Sequence, residues 1–284
     1  ADGRGCSQIR AEEAKLFGNA WPDQQASRSE VRLRLDSWRR GNKQNCASHS
    51  KLSIMAGGNS INAAVYLGYG PVKTATALKE PPAIDAGEQA ALRIAAPQRY
   101  SAQLDQVIAL MHRFGTVGGR SRNGWGAYAL DGAAKAEIRN YLIDWEEALQ
   151  EDWVRGIGKD QQGPLIWRTQ QGFERWEEAM QALAQVRADV NRLGRSDEER
   201  CLLYYPVTRK FQRGWRDQDR LPNSLRFKVI EQDGKLYGDI VHLPCRPSDE
   251  LWRRASQPGE LLRHAWGNVH QHLDKRPDLQ RLGA

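Results

Sequence analysis

The segment with the clearest chemistry is Gly118-Gly119-Arg120-Ser121-Arg122-Asn123-Gly124-Trp125-Gly126. Its glycines permit left-handed backbone and close approach of another chain, Arg120 and Arg122 offer guanidinium forks that match phosphate oxygens, and Trp125 offers a ring for stacking. That combination suits a sugar-phosphate backbone. No G-K-[ST] ends the segment, so it is not a Walker loop. It follows a helical pattern and not a strand, so it is not a dinucleotide fingerprint either.

Two further basic clusters suggest contact with a polyanion. Arg39, Arg40, Lys43 and Lys51 fall in a glycine- and asparagine-rich stretch that could close over an RNA backbone. Arg209, Lys210 and Arg213, followed by Trp215 and Arg216, interleave base with aromatic as a single-strand groove does. Catalytic candidates are weaker. His49, between Ser48 and Ser50, is placed as a general base must be, but spacing gives it no partner acid or lysine. His112 borders an apolar helical stripe and reads as a packed or solvated residue. Cys6, Cys46, Cys201 and Cys245 are too scattered for a metal knuckle or a disulfide scaffold, and His270 and His272 are two apart on a helical pattern, facing different ways. The expectation is therefore no catalytic residue, no metal and no cofactor.

The elements that must hold these residues follow from periodicity. Residues 29–36 alternate Val31, Leu33 and Leu35 with polar neighbours, a strand with one buried face, and 89–96 reads as a second strand. Residues 37–62 read as a long loop, and the AAVYLGYGP run after it as a short buried element. Leu104, Val107, Ile108, Met111 and Phe114 form a helical stripe opened by Ser101, and a strand is expected to resume at 127–130. Helices are expected over 133–150 and 173–193, a strand at CLLYYPV (201–207), a hairpin turning at Asp233-Gly234, and helix again over 248–275. Trp145, Trp153, Trp176, Trp252 and Trp266 fall in helical patterns and read as core or subunit-contact residues. The order of strands and helices predicts an α+β fold.

The chain has 284 residues, with 42 Lys and Arg against 35 Asp and Glu. Residues 1–130 carry 17 basic and 10 acidic side chains, 131–200 carry 10 and 15, and 201–284 carry 15 and 10. Two basic segments flank an acidic one, which is expected to lie away from any bound polyanion. The 40% hydrophobic content excludes a disordered chain, and no apolar run is long enough to span a membrane. The opening ADGRGCSQIR lacks the apolar core of a signal peptide, and the cysteine usage suits a reducing compartment, so a soluble cytoplasmic protein is expected.

An amphipathic helix ending in Phe114-Gly115 and followed by GGRSRNGWG resembles the signature loop of the RAMP superfamily, the RNA-binding proteins of CRISPR effector complexes. EEAKLFG (12–18) looks like the E-x-x-L-F-G element of such proteins, and Tyr69-Gly70-Pro71 matches another short motif. The run from Arg220 to Lys228, which contains Arg226, and His242-Leu243-Pro244 resemble the subunit at the crRNA 3′-end side of type III-B (Cmr-type) complexes. The matches span about residues 12 to 245. The resemblance implies tandem ferredoxin-like (RRM-like) domains, here 1–131 ending in the glycine loop and 132–284 carrying a helical insertion. It also implies a non-catalytic subunit that holds crRNA or target RNA beside other RAMP subunits, with Arg226 among the RNA contacts. Family members begin with a strand and an arginine-containing segment that nothing here matches, so the first domain is expected to be incomplete. Two other readings compete: a metal-independent crRNA-processing endoribonuclease of the superfamily, and a RAMP segment of a larger fused effector. More than 150 residues follow the glycine loop, whereas processing RAMPs carry it near the C-terminus.

Overall fold

The computed structural model describes residues 6–20, 26–36, 52–74, 77–79, 83–194, 196–204, 215–216, 219–221, 224–254 and 258–283. The chain runs α1 (Cys6–Phe17), β1 (Arg32–Asp36), β2 (Ser53–Ala56), β3 (Asn59–Asn62), α2 (Ala63–Gly68), β4 (Val72–Thr74), β5 (Ala77–Leu78), β6 (Ala91–Ala95) and α3 (Ser101–Phe114). It continues through β7 (Leu142–Asp144), α4 (Trp145–Ala148), β8 (Ile157–Asp160), β9 (Gly163–Pro164), β10 (Ile166–Thr169), α5 (Trp176–Val190) and α6 (Asp197–Tyr204). The last elements are β11 (Leu225–Gln232), β12 (Lys235–His242), α7 (Asp249–Arg254), α8 (Gly259–Asp274) and β13 (Leu279–Arg281). The fold is mixed α+β. Among the described residues no helix is long and apolar enough to cross a membrane.

Contacts divide the chain into two units, each discontinuous in sequence. The first holds the described residues of Ala1–Asn45, Glu80–Arg113 and Leu130–Ala136. In it β1 pairs antiparallel with β6, in the register Arg32 with Ala95 through Asp36 with Ala91. The apolar face expected of this strand is not buried as read: Val31 is buried, but Leu33 and Leu35 are 64% and 50% exposed, because the described sheet has only these two strands. The Leu-Phe-Gly element ends α1: Gly18, at φ +78°, donates its N–H to Ala14 O, and a Cβ there would stand 2.7 Å from Ser27 O. His112 is half-buried on α3, its Nδ1 accepting the Leu130 N–H at 3.0 Å.

The second unit holds the described residues of Cys46–Lys79, Phe114–Ala129 and Glu137–Ala284. Its main sheet has the order β11-β12-β10-β13, and every neighbouring pair is antiparallel. Within this unit the chain passes from β10 through α5 to the β11–β12 hairpin, then through α8 to β13. Side-chain alternation divides the two faces. Trp167, Leu225, Phe227 and Ile240 join Met180 and Leu183 of α5 and Leu262, Trp266 and Val269 of α8 in one core. Ile166 and Val241 face the other way and pack with Ile157, Leu142 and Phe114. Trp145, Trp176, Trp252 and Trp266 all belong to or pack on the first core, as helical tryptophans should, whereas Trp153, expected in a helix with them, lies in a bend outside every helix.

Four expected elements form differently. Residues 53–62 are not loop but the β2–β3 hairpin, turned by Gly57 and Gly58 at φ +59° and +82°, the mirror-image turn that a glycine pair favours. No strand forms over 127–130: Ala127 makes a single bridge to Thr116, and the Leu130 N–H goes to the His112 ring. The helix expected over 133–150 is replaced by β7 and the one-turn α4, because the Asp144 carboxylate caps the N–H groups of Glu146 and Glu147 and starts a new helix there. The strand expected from 201 is helix α6 through Tyr204. Ser196 Oγ accepts the Glu199 N–H, and Asp197 and Glu198 occupy the positive end of the helix dipole, so capping overrides the β-type run.

Candidate nucleic-acid interface

The glycine loop, Phe114–Ala129, belongs wholly to the second unit. Its stem is closed by Thr116 pairing with Ala127 and by the Val117 N–H donated to Gly126 O at 2.9 Å. Gly126, at φ +65°, is obligatory, since a Cβ there would overlap Val117 O at 1.7 Å. At the tip the Asn123 N–H turns back to Arg120 O at 2.8 Å, and Arg120 itself holds φ +59°.

Beyond the tip the loop is fastened to the exposed edge of the main sheet. The Gly124 N–H donates to Phe227 O, and the Phe227 N–H donates to Arg122 O, both at 3.0 Å. Gly124 sits so close over α5 that a Cβ would stand 2.8 Å from Met180 Sδ. The Asn123 amide donates to Leu67 O at 3.2 Å, tying the loop to the end of α2. Trp125 meets Trp176 edge-on at 5.1 Å, and its indole lies where a Cβ on Gly68 would come within 2.9 Å. The Trp125 ring is thus half-buried packing and not an open platform. Pro71 of the Tyr69-Gly70-Pro71 motif lies against Gly119, where a Cβ would be 2.9 Å from its Cγ.

Fastening the backbone in this way leaves the arginines outside. Arg120 and Arg122 are both exposed, two residues apart on a loop whose Asn123 and Trp125 side chains are tied down. Each lies within electrostatic reach of a second arginine from a different element. Arg122 acts on Arg226 of β11, whose guanidinium burial and the Arg122 charge both hold below its usual pKa. Arg120 acts in the same sense on Arg187 of α5, where burial is the larger cause. Arg226 Nε is buried without a hydrogen-bond partner, and Cys245 beside it is pushed up by burial. Lys228, two residues along β11 from Arg226, sits over the Tyr128 ring at 5.2 Å. Like charges gathered on one surface cost folding energy, and they lower that cost by taking an anion between them.

The structure therefore brings Gly118 through Gly126 together with Arg226. Arg39, Arg40, Lys43, Lys51, His49, Arg209, Lys210 and Arg213 lie outside the described residues. Trp215 is buried in the first core and donates Nε1–H to Leu251 O at 2.9 Å, so it is not available to stack on a base. Sequence reasoning missed Arg187. Its signal was a cation at the i+4 and i+7 positions from Leu183 and Met180, on the buried stripe of α5. Among the described residues no three His, Cys, Asp or Glu side chains are placed to share a metal ion. No family model, curated protein or solved structure matches this chain.

Proposed function

We propose that this chain is a non-catalytic RNA-binding subunit of a type III CRISPR effector ribonucleoprotein, acting in the cytoplasm and holding crRNA or target RNA alongside other RAMP subunits. One observation carries the reading. Arg122 of the glycine loop and Arg226 of β11, distant in sequence, are placed within each other's electrostatic reach on the edge of a sheet. A pair of guanidiniums carried on two backbone segments that are hydrogen-bonded to each other suits the regularly spaced phosphates of a nucleic acid. The chain order strand, helix, strand, strand, helix, strand with sheet order β11-β12-β10-β13 fits a ferredoxin-like module, the fold on which the RAMP resemblance rests. We read the first unit as a second, incomplete module of that kind.

The test is equilibrium binding of single-stranded repeat RNA over a salt series, using the double variant Arg122→Ala and Arg226→Ala. If each arginine neutralises one phosphate, the slope of log K against log salt falls by about 0.7 for each one removed. Unchanged affinity and slope in a folded variant would overturn the assignment. The same RNA, labelled and incubated with the protein with and without divalent metal, is expected to stay intact. Discrete cleavage products would favour the endoribonuclease reading.

A further inference from the structure

We infer that the cleft lined by Tyr66, Tyr69, Arg120, Asn123, Arg187 and Asn191 grips the phosphate of one nucleotide of single-stranded RNA, with Tyr69 as the stacking face for its base. The inference rests on the RNA-binding reading above and adds to it a pocket and four residues. It also places an RNA contact on α5, within the acidic segment expected to lie away from a polyanion.

The cleft has a volume of about 470 Å³, within the range of small-molecule sites and room for a nucleotide. Ile61, Val65 and Leu67 give it an apolar floor. Arg187 reaches it from α5 with its guanidinium near the faces of Tyr204 and Phe227, at 5.8 and 5.9 Å, which fix its plane. One turn further along the chain, Asn191 donates its amide to Tyr66 Oη at 2.9 Å, and the Tyr204 hydroxyl donates to Asn191 O. The polar groups lining the cleft are thus held before any ligand arrives.

Arg120 lines the same cleft from the glycine loop, so two guanidiniums converge on one space. Two forks around one tetrahedral anion is the geometry that phosphate recognition uses, and a lone carboxylate would satisfy only one of them. At the rim Tyr69 is 70% exposed, a large aromatic face left in water beside two cations. An exposed ring next to a phosphate-sized cationic space matches a nucleotide, whose base stacks while its phosphate is clamped. A peptide of acidic side chains brings no aromatic base to stack on that ring.

The experiment uses the full chain, fluorescence anisotropy with a short single-stranded RNA, and titrations with adenosine 5′-monophosphate and adenosine. Arg187→Gln is expected to weaken RNA binding roughly tenfold or more and to lower the salt slope by about 0.7. Arg187→Lys keeps the slope but not the affinity, because an ammonium cannot fork. Tyr69→Ala is expected to lose roughly 5- to 100-fold with the slope unchanged. Adenosine 5′-monophosphate is expected to saturate, adenosine to fail, and a glutamate-rich peptide not to compete.

Unchanged RNA affinity and slope in a folded Arg187→Gln variant would overturn the pocket while leaving RNA binding intact. Equal competition by the acidic peptide would overturn it as well. If Arg187→Gln does not fold, Arg187→Lys and Tyr69→Ala decide. If the wild-type chain binds no RNA, the proposed function fails and the mononucleotide titration judges the pocket alone: saturable, phosphate-dependent binding lost in Arg187→Lys upholds the phosphate grip, and no binding overturns it.

Discussion

The guanidinium of Arg120 lies across Gly70, so close that a Cβ built on the glycine would stand 3.3 Å from Nη2 and 3.6 Å from Nε. Gly70 also holds φ +114°, a backbone conformation that side-chain-bearing residues rarely adopt. The Tyr69-Gly70-Pro71 motif and the glycine loop, some fifty residues apart in sequence, are therefore parts of one surface. Gly70→Ala should cost about 1–2 kcal/mol in stability through backbone strain, and should also displace Arg120. Urea unfolding combined with RNA titration checks this. A loss of affinity smaller than that of Arg120→Ala, with a measurable drop in the unfolding midpoint, is the expected pair of results.

Trp125 separates packing from recognition. Its ring is wedged between Trp176 and the bare Cα of Gly68, so truncation opens a void in the wall of the first core. Trp125→Ala is expected to destabilise the fold by about 2–4 kcal/mol, on the lower side of Trp-to-Ala losses because the ring is only half-buried. Trp125→Phe should recover more than half of that. If instead stability is unchanged and RNA affinity falls, the ring is a stacking platform and the packing account is wrong.

The parts legible in the sequence are those governed by one local rule. The α3 helix carrying the stripe from Leu104 to Phe114 and the Asp233-Gly234 hairpin follow from periodicity and turn chemistry and stand in the structure as read, and β1 and β6 form as strands although the face expected to be buried is not. The misreadings arose where two local signals compete. Cys201-Leu202-Leu203-Tyr204 has β-type composition, yet Ser196 and the acidic first turn set it as helix. The stretch before Trp145 has helical spacing, yet Asp144 prefers to cap. Gly57-Gly58 was a hairpin signal hidden in a run that looked only polar. The loop's arginines were legible because composition alone marks them. Arg226 entered only through the family resemblance, and Arg187, though marked as a cation on the buried stripe of α5, could not be joined to the loop, because which strand edge and helix face the loop docks against is not written in local spacing.

The second unit buries a histidine pair, and it fixes how stability should respond to acid. His270 Nε2 and His242 Nδ1 are 3.0 Å apart, both rings buried, with Trp266 tilted against His242 at 4.2 Å and Trp145 edge-on to His270 at 4.8 Å. Burial pushes His270 down to about 3, and burial together with the neighbouring ring holds His242 well below the ordinary histidine value. Both are neutral in the folded chain, whereas in the unfolded chain each takes a proton near pH 6.5. Between those limits the unfolded state binds more protons, so stability rises with pH, is complete above about 6.5 and is lost as pH falls toward 3. Each histidine contributes up to about 1.4 kcal/mol per pH unit across that window. Urea unfolding at pH 7 and pH 5 should show a midpoint that falls on acidification, and the fall should shrink in His270→Gln even though that variant is less stable throughout. A pH dependence identical in wild type and variant would mean that His270 is protonated in the folded chain, and the buried neutral pair would have to be abandoned.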